Sequence, residues 1–153
     1  MNSDIAILDG GVATDDRGCV RFVNDFNFKG VKRFYQVENH KSGFIRAWHG
    51  HRDESKYVYV AKGSAMIGVV KMPPTHNGEE IKSSAPQPTA EKFILSANKP
   101  QVLYIPKGFA NGAMTLDENT IIQYFSTSSL EESLGDDIRF KHDKWDIWKS
   151  EYR

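Results

Sequence analysis

The chain has 153 residues, enough for one domain with a core of its own and no need of a disulfide or a metal to hold it. Its 20 Lys and Arg residues are matched by 20 Asp and Glu, so no net field draws it to nucleic acid or to an anionic membrane. The single cysteine, Cys19, excludes an internal bridge, and the chain shows no signal-like segment or apolar run of spanning length, so the expected setting is the reducing cytoplasm.

Gly, Val, Ile, Phe and Tyr recur in short runs broken by Gly, Pro, Asn and Asp, and long runs of helical period are missing. This pattern predicts an all-β sandwich or barrel. Ile5 to Leu8 reads as a first strand, followed by a turn at Gly10-Gly11. Asp15, Asp16, Arg17 and Gly18 read as the next turn, with Val20, Phe22 and Phe26 supplying an apolar side beyond it. Arg17 fits a solvated turn residue as well as an anion contact. VKRFYQVENH at 31–40 is another strand, ending in the polar cluster Glu38, Asn39 and His40.

The stretch Gly43 to Gly63, GFIRAWHGHRDESKYVYVAKG, sets Arg46, His49, His51 and Lys56 into a strand-like run. Val58 and Val60, with Met66, Val69 and Val70 in the strand at 64–70, read as buried β-structure, so the ionisable residues are expected to line a pocket walled by sheet. The competing reading is a solvated edge strand whose charges discourage aggregation. Residues 72–92 are rich in Pro, Ser, Thr and charge and read as an exposed loop or hairpin excursion, with His76 solvated. Short strands follow at 93–95 and 102–105, and the second runs into PKGFANG, read as a turn dense in Pro and Gly. Ile121 to Phe125 is the last strand and holds Tyr124, for which a core position is the ordinary reading. In the tail, Trp145, Trp148 and Tyr152 are spaced for one face of a short helix, or for a strap packed on the barrel. No repeat or second-domain boundary interrupts residues 1–153, which read as a single domain.

His49-Gly50-His51 is similar to the HxH of metal-binding cupins, in which a later carboxylate and a third His from a PxGxxH turn complete the ligand set. Here Asn111 stands at the third His of PKGFAN, Ser55 and Lys56 stand where the carboxylate belongs, and Glu54 comes one residue early. A cation at a ligand position repels a metal. The same residues suit proton transfer without a metal or cofactor: His49 as the base that takes a proton beside a ketone, Lys56 as the cation that stabilises the enolate, and Tyr124 as the acid on the opposite face.

Taken in order, the motifs resemble the dTDP-4-dehydrorhamnose 3,5-epimerase family, cupins that act without metal on 4-keto-6-deoxy sugar nucleotides. DDRG at Asp15 to Gly18 resembles DDRGFF, QVENH at Gln36 to His40 resembles QxNHS, and RAWH at Arg46 to His49 resembles RGLH. SKYVYVAKG resembles GKLVRVxxGE, LSANKPQVLYIPKGFANG resembles LSxENxxQLWIPxGFAHG, and QYFST resembles LYKxT. The resemblance implies a cupin jelly roll, a double-stranded β-helix barrel, with a short C-terminal helical or strap segment. It assigns the same roles to His49, Lys56 and Tyr124. It also implies substrate contacts from Arg17, Gln36, Asn39 and Arg46, with His51 and Asn111 beside them, and a homodimer in which N-terminal strands pair between subunits.

The chain also departs from the family pattern. The aspartate that orients the base in the family's LSxKD segment has no counterpart in DIWKSEYR, although Asp53, Glu54 or another carboxylate could substitute in the fold. Asn111 replaces a histidine, Ala113 replaces a large aromatic residue, and Ala47-Trp48 replaces Gly-Leu, which is expected to bring an indole near the pocket. The 72–92 loop looks longer than the family's equivalent. Strict alternation would put Arg46 and His49 on opposite faces, so the resemblance requires a bulge or twist near Ala47-Trp48. The leading expectation is a sugar-nucleotide epimerase or isomerase serving deoxysugar and cell-surface polysaccharide synthesis, acting on one carbon, on two, or as a ketoisomerase. The alternatives are a catalytically silent binder of sugar nucleotides or glycans, and a metal-dependent cupin enzyme.

Overall fold

The computed structural model of the chain describes residues 4–149. In chain order the first strands are β1 (Ala6–Asp9), β2 (Gly11–Asp15), β3 (Gly18–Phe22), β4 (Arg33–Glu38), β5 (Ile45–Gly50), β6 (Lys56–Lys62) and β7 (Ser64–Lys71). They are followed by β8 (Thr75–His76), β9 (Glu79–Glu80), β10 (Glu91–Ser96), β11 (Gln101–Ile105), β12 (Phe109–Thr115) and β13 (Ile121–Ser126). A single turn of helix, α1 (Leu130–Leu134), and the short β14 (Ile138–Arg139) close the series.

Two five-stranded antiparallel sheets face one another, one in the order β1-β11-β6-β13-β4 and the other in the order β10-β7-β12-β5-β14. This is the expected jelly roll. Alternation along β6, β13 and β11 turns Val58, Val60, Ile122, Leu103 and Ile105 inward, where they meet Ile67, Val69 and Leu95 of the other sheet in one apolar cluster. β2 and β3 pair with each other and with no strand of either large sheet. The excursion at 72–92 contains the small hairpin β8–β9, as its composition suggested.

The outer face of the second sheet is also covered. Trp48, Met66, Val70, Ala110 and Met114 point away from the first sheet and are buried under residues 140–148, where Trp145 meets Trp48 edge-on and Trp148 meets it at a tilt, both at centroid distances of 5.3 Å. The tail is therefore a strap without helix in this part, packed through its tryptophans; Tyr152 lies outside the described residues. The expectation of an indole beside the pocket is corrected here, because Trp48 projects from the opposite face of β5.

The turn predicted over PKGFANG ends at Gly108, and its second half begins β12, a central strand that the sequence pattern did not reveal. FANGAMT hides its strand character because close neighbours demand small residues. A Cβ on Gly112 would lie 2.5 Å from that of Ala47, and one on Gly68 of β7 would lie 2.5 Å from Trp48 Cη2 and 2.7 Å from Ile147 Cδ1. Gly68→Ala is expected to displace the Trp48 ring and the strap, lowering stability by about 1–3 kcal/mol. The urea midpoint should fall accordingly, while the same change at the open turn position Gly135 should move it far less.

Candidate functional site

At one end of the space between the sheets, polar side chains replace the apolar ones. Lys56 faces inward because it shares the parity of Val58 and Val60 on β6, and Tyr124 stands in the same relation to Ile122 on β13. On β4, Arg33, Tyr35 and Val37 form the inward-facing set. The opposite wall comes from the second sheet. There β12 supplies Asn111, and β5 supplies His49 with Arg46. These two share a face because Asn111 pairs with His49 while Ala113 pairs with Arg46, so β5 carries one more residue than β12 across this step. Of the expected bulge or twist near Ala47-Trp48, a bulge is what is present, and the peptide joining these residues is cis. The walls enclose a cleft of ≈ 240 Å³.

The segment after β13 forms the rim. Ser129 caps α1 through a capping box with Glu132, bringing Ser133 and Leu134 to the cleft mouth. Beyond it, the Asp136 carboxylate accepts from the backbone N–H groups of Arg52 and Asp53 at 2.8 and 2.9 Å, and its carbonyl accepts from His51 Nδ1 at 2.5 Å. Asp137, just before β14, and Arg139 on it then stand beside His49, with Arg139 directly opposite it in register and ion-paired to Asp137 at 3.0 Å.

Burial acts on the titratable groups according to the sign of their charged form. His49 is held below its ordinary value of 6.5, first by burial, then by the positive charges of Arg139 and Lys56, against an opposing effect of Asp137. His51 is lowered too, first by burial and then by Lys56, against Glu54 and Asp136. Tyr124 moves the other way: burial and neighbouring Tyr35 push its phenol well above 10.0, with Arg46 opposing. Both imidazoles therefore favour the neutral form near pH 7 and Tyr124 keeps its proton. The Tyr124 and Tyr35 rings stack at 5.0 Å, and Lys56 Nζ stands 5.9 Å from each centroid.

His49, Lys56, Tyr124, Arg46, His51 and Asn111 are brought together in this cleft. Asn39 stands next to it, with its Oδ1 accepting from Arg46 Nε at 2.6 Å. Two expected contacts are placed elsewhere. Gln36 is on the outward face of β4, where its amide donates to Gln123, and Arg17 sits at the β2–β3 turn, 86% exposed and paired with Asp15. Arg33, Tyr35, Asp137 and Arg139 were not anticipated; the inward parity of β4 could have suggested the first two, whereas β14 carries no periodic signal. Of the two carboxylates named as substitutes for the missing aspartate, Glu54 lies against His51 and Lys56 rather than the base; the carboxylate beside His49 is Asp137, which was not named. Among the described residues, no three His, Cys, Asp or Glu side chains converge as a metal site would require.

Because Lys56 depresses both histidines, replacing it with Met should raise both imidazole titration midpoints toward 6.5 from their positions below that value. NMR titration of the ring C–H signals reads this directly, and midpoints unmoved by Lys56→Met would contradict the electrostatic layout.

Three comparisons bear on the lineage of this arrangement. The profile of the family described as dTDP-4-dehydrorhamnose 3,5-epimerase matches residues 3–151. The spore coat polysaccharide biosynthesis protein SpsL of Bacillus subtilis is 27% identical over 146 residues, which cover 92% of this chain and 91% of that protein. Among solved structures, the dTDP-4-dehydrorhamnose 3,5-epimerase from Sulfolobus tokodaii matches with a TM-score of 0.71 at 24% identity, over 94% of this chain and 81% of that one. A 3,4-ketoisomerase from Helicobacter canadensis matches with a TM-score of 0.64 at 20% identity, over 94% and 96%. With its family profile spanning nearly the whole chain, the protein belongs to the dTDP-4-dehydrorhamnose 3,5-epimerase family and is an enzyme of the isomerase class.

Proposed function

We propose that the protein is a nucleotide-sugar epimerase that removes a proton beside the ketone of a 4-keto-6-deoxyhexose carried on dTDP, in the cytoplasmic supply of deoxysugars for a cell-surface polysaccharide. The observation that carries this reading is the placement of His49 and Tyr124 on opposing walls of one cleft, contributed by different sheets, with the Lys56 ammonium beside Tyr124. His49, neutral at working pH, takes the proton from carbon. The electron pair of that C–H bond moves into the ketone, whose oxygen becomes an enolate held by Lys56. Tyr124 then returns a proton to the other face, inverting the carbon, and recovers its own from solvent as His49 releases the one it took. Side chains supply every group the reaction needs, so no cofactor enters it.

Arg46, Asn39, His51 and Asn111 would bind the sugar and the inner phosphate. A cleft of ≈ 240 Å³ is smaller than the roughly 300–1,000 Å³ of complete ligand sites, which suits a hexose with its nucleotide outside the chain that holds it. A homodimer would supply the remainder. The projecting β2–β3 hairpin would bring Arg17 to the partner's cleft, and Gln36 on the outward face of β4 would join that interface.

A 3,4-keto shift is the second reading, favoured by the second imidazole, His51, two residues from the base and lining the same cleft. It moves a proton between neighbouring oxygens as well as carbons, which asks for another acid–base group.

Incubation with a dTDP-4-keto-6-deoxyhexose in D2O should give solvent deuterium at C3, C5 or both, and His49→Asn should slow uptake by about 10²–10⁴-fold. Tyr124→Phe should keep proton loss but suppress inversion. A ketone that migrates to C3 selects the second reading, and tight dTDP binding without any exchange would mean a silent binder. The rate should fall on the acid side with a midpoint below 6.5, where His49 protonates, and Tyr124 should impose no alkaline fall below pH 10.0.

A further inference from the structure

The carboxylate of Glu54 has no part in the proton transfers above, yet only 2% of the residue's surface is exposed. Neither of its oxygens has a hydrogen-bond partner among the described residues. It lies instead within ion-pair range of two cationic side chains. Arg33 Nη2 is 3.6 Å from Oε1 and Lys56 Nζ is 3.4 Å from Oε2, with Nε2 of the neutral His51 ring 3.5 Å from Oε2. A carboxylate taken out of water is costly unless neighbouring charge offsets it, so Glu54, Arg33 and Lys56 hold one another in place.

The two cleft residues that approach Oε2 are held differently. His51 is fixed from its other edge, where Nδ1 donates to the Asp136 carbonyl, and the neutral ring has no hydrogen on Nε2 to offer Glu54. Lysine ends a flexible stem and carries three donor hydrogens, so a contact on one flank restricts the stem and leaves donors free on the other. For Lys56 the first flank is Glu54 and the other faces the two tyrosine rings and the open cleft.

We propose that Glu54 is a positioning residue of this site: without touching substrate, it holds the Lys56 ammonium where the enolate oxygen develops. The inference rests on the proton-abstraction reading of the cleft. It adds a carboxylate acting on the oxygen-binding side of the site, distinct from one that would orient the base, since its contacts are to His51 and Lys56.

Glu54→Gln keeps the size and removes the charge. Deuterium uptake at saturating substrate should slow by about 10²-fold, the scale on which a lost oxyanion stabiliser acts. Calorimetric affinity for dTDP should stay within about threefold, since the loss lies in the chemical step. In a Lys56→Met background, adding Glu54→Gln should cost nothing further, because its effect passes through Lys56. Uptake by Glu54→Gln within about threefold of the unaltered protein, or a second full loss in the Lys56→Met background, would overturn the inference. Should Glu54→Gln lose its folded circular-dichroism spectrum, Glu54→Asp replaces it and is expected to fold and exchange about tenfold more slowly. An Asp variant that also failed to fold, or that exchanged at the full rate, would overturn the positioning role. His49→Asn separates the two levels. Retained exchange in that variant defeats the reading of the cleft itself, as does an unaltered protein that never exchanges. Loss in His49→Asn with full activity in Glu54→Gln defeats the role of Glu54 alone.

Discussion

The physical constraint on which the structure turns is the presence of charge inside a β-sandwich. Two facing sheets normally bury interdigitating apolar side chains along their whole length. Here that holds at one end only, where Val58, Val60, Leu103 and Ile122 meet Ile67, Val69 and Leu95. At the other end the same inward parity delivers Lys56, Tyr124, Tyr35, His49 and Asn111. An interior position filled by lysine is tolerated because Glu54 lies against it, and Glu54 because Arg33 joins Lys56 beside it. The cluster ties the starts of β4 and β6 to the segment that follows β5, at the end where apolar contact is thinnest. The apolar end supplies the stability that such an arrangement consumes.

A second constraint acts on β5, which is covered on both faces. Trp48 is wholly buried beneath the strap on one side, and His49 lines the cleft on the other. The depth of Trp48 is set by Gly68, whose missing side chain leaves room for the indole, and by Trp145 and Trp148 above it. Packing far from the cleft thereby determines where the imidazole stands within it. The extra residue at the bulge then turns Arg46 to the same side as His49, which an unbroken strand would forbid.

Strand positions were legible in the sequence where alternation was carried by large residues, as in β4, β6 and β13, and where an apolar run stood between turn signals, as in β7. β12 was not, because its close neighbours select Ala and Gly, and small residues write no period. The cluster of Arg46, His49, His51, Lys56 and Tyr124 was readable from motif order, and even the bulge followed from the demand that two residues three apart share a wall. What escaped was decided across the chain. The direction of Trp48 depends on a strap nearly a hundred residues later, and β14 reaches the cleft only through its pairing with β5. Glu54, dismissed as one residue early for a metal ligand, acquires its surroundings from β4 and β6 together. Gln36 and Arg17 face away from the cleft of their own chain, and no single-chain periodicity could say which surface they serve.

One cause prepares both ends of the proposed reaction. Removal from water disfavours whichever form carries charge, so it lowers an imidazole and raises a phenol. His49 and Tyr124, on facing walls of the same cleft, are thereby shifted in opposite directions, toward a free base and a retained proton. A carbon held between them would meet an acceptor on one side and a donor on the other, which is the condition for inversion rather than simple exchange. The sandwich provides that opposition without special construction, since its two sheets always present side chains face to face. What is particular to this chain is that the facing positions carry groups whose charged forms differ in sign. Lys56, beside Tyr124 in the same cleft, is the residue supplied with a buried counter-ion.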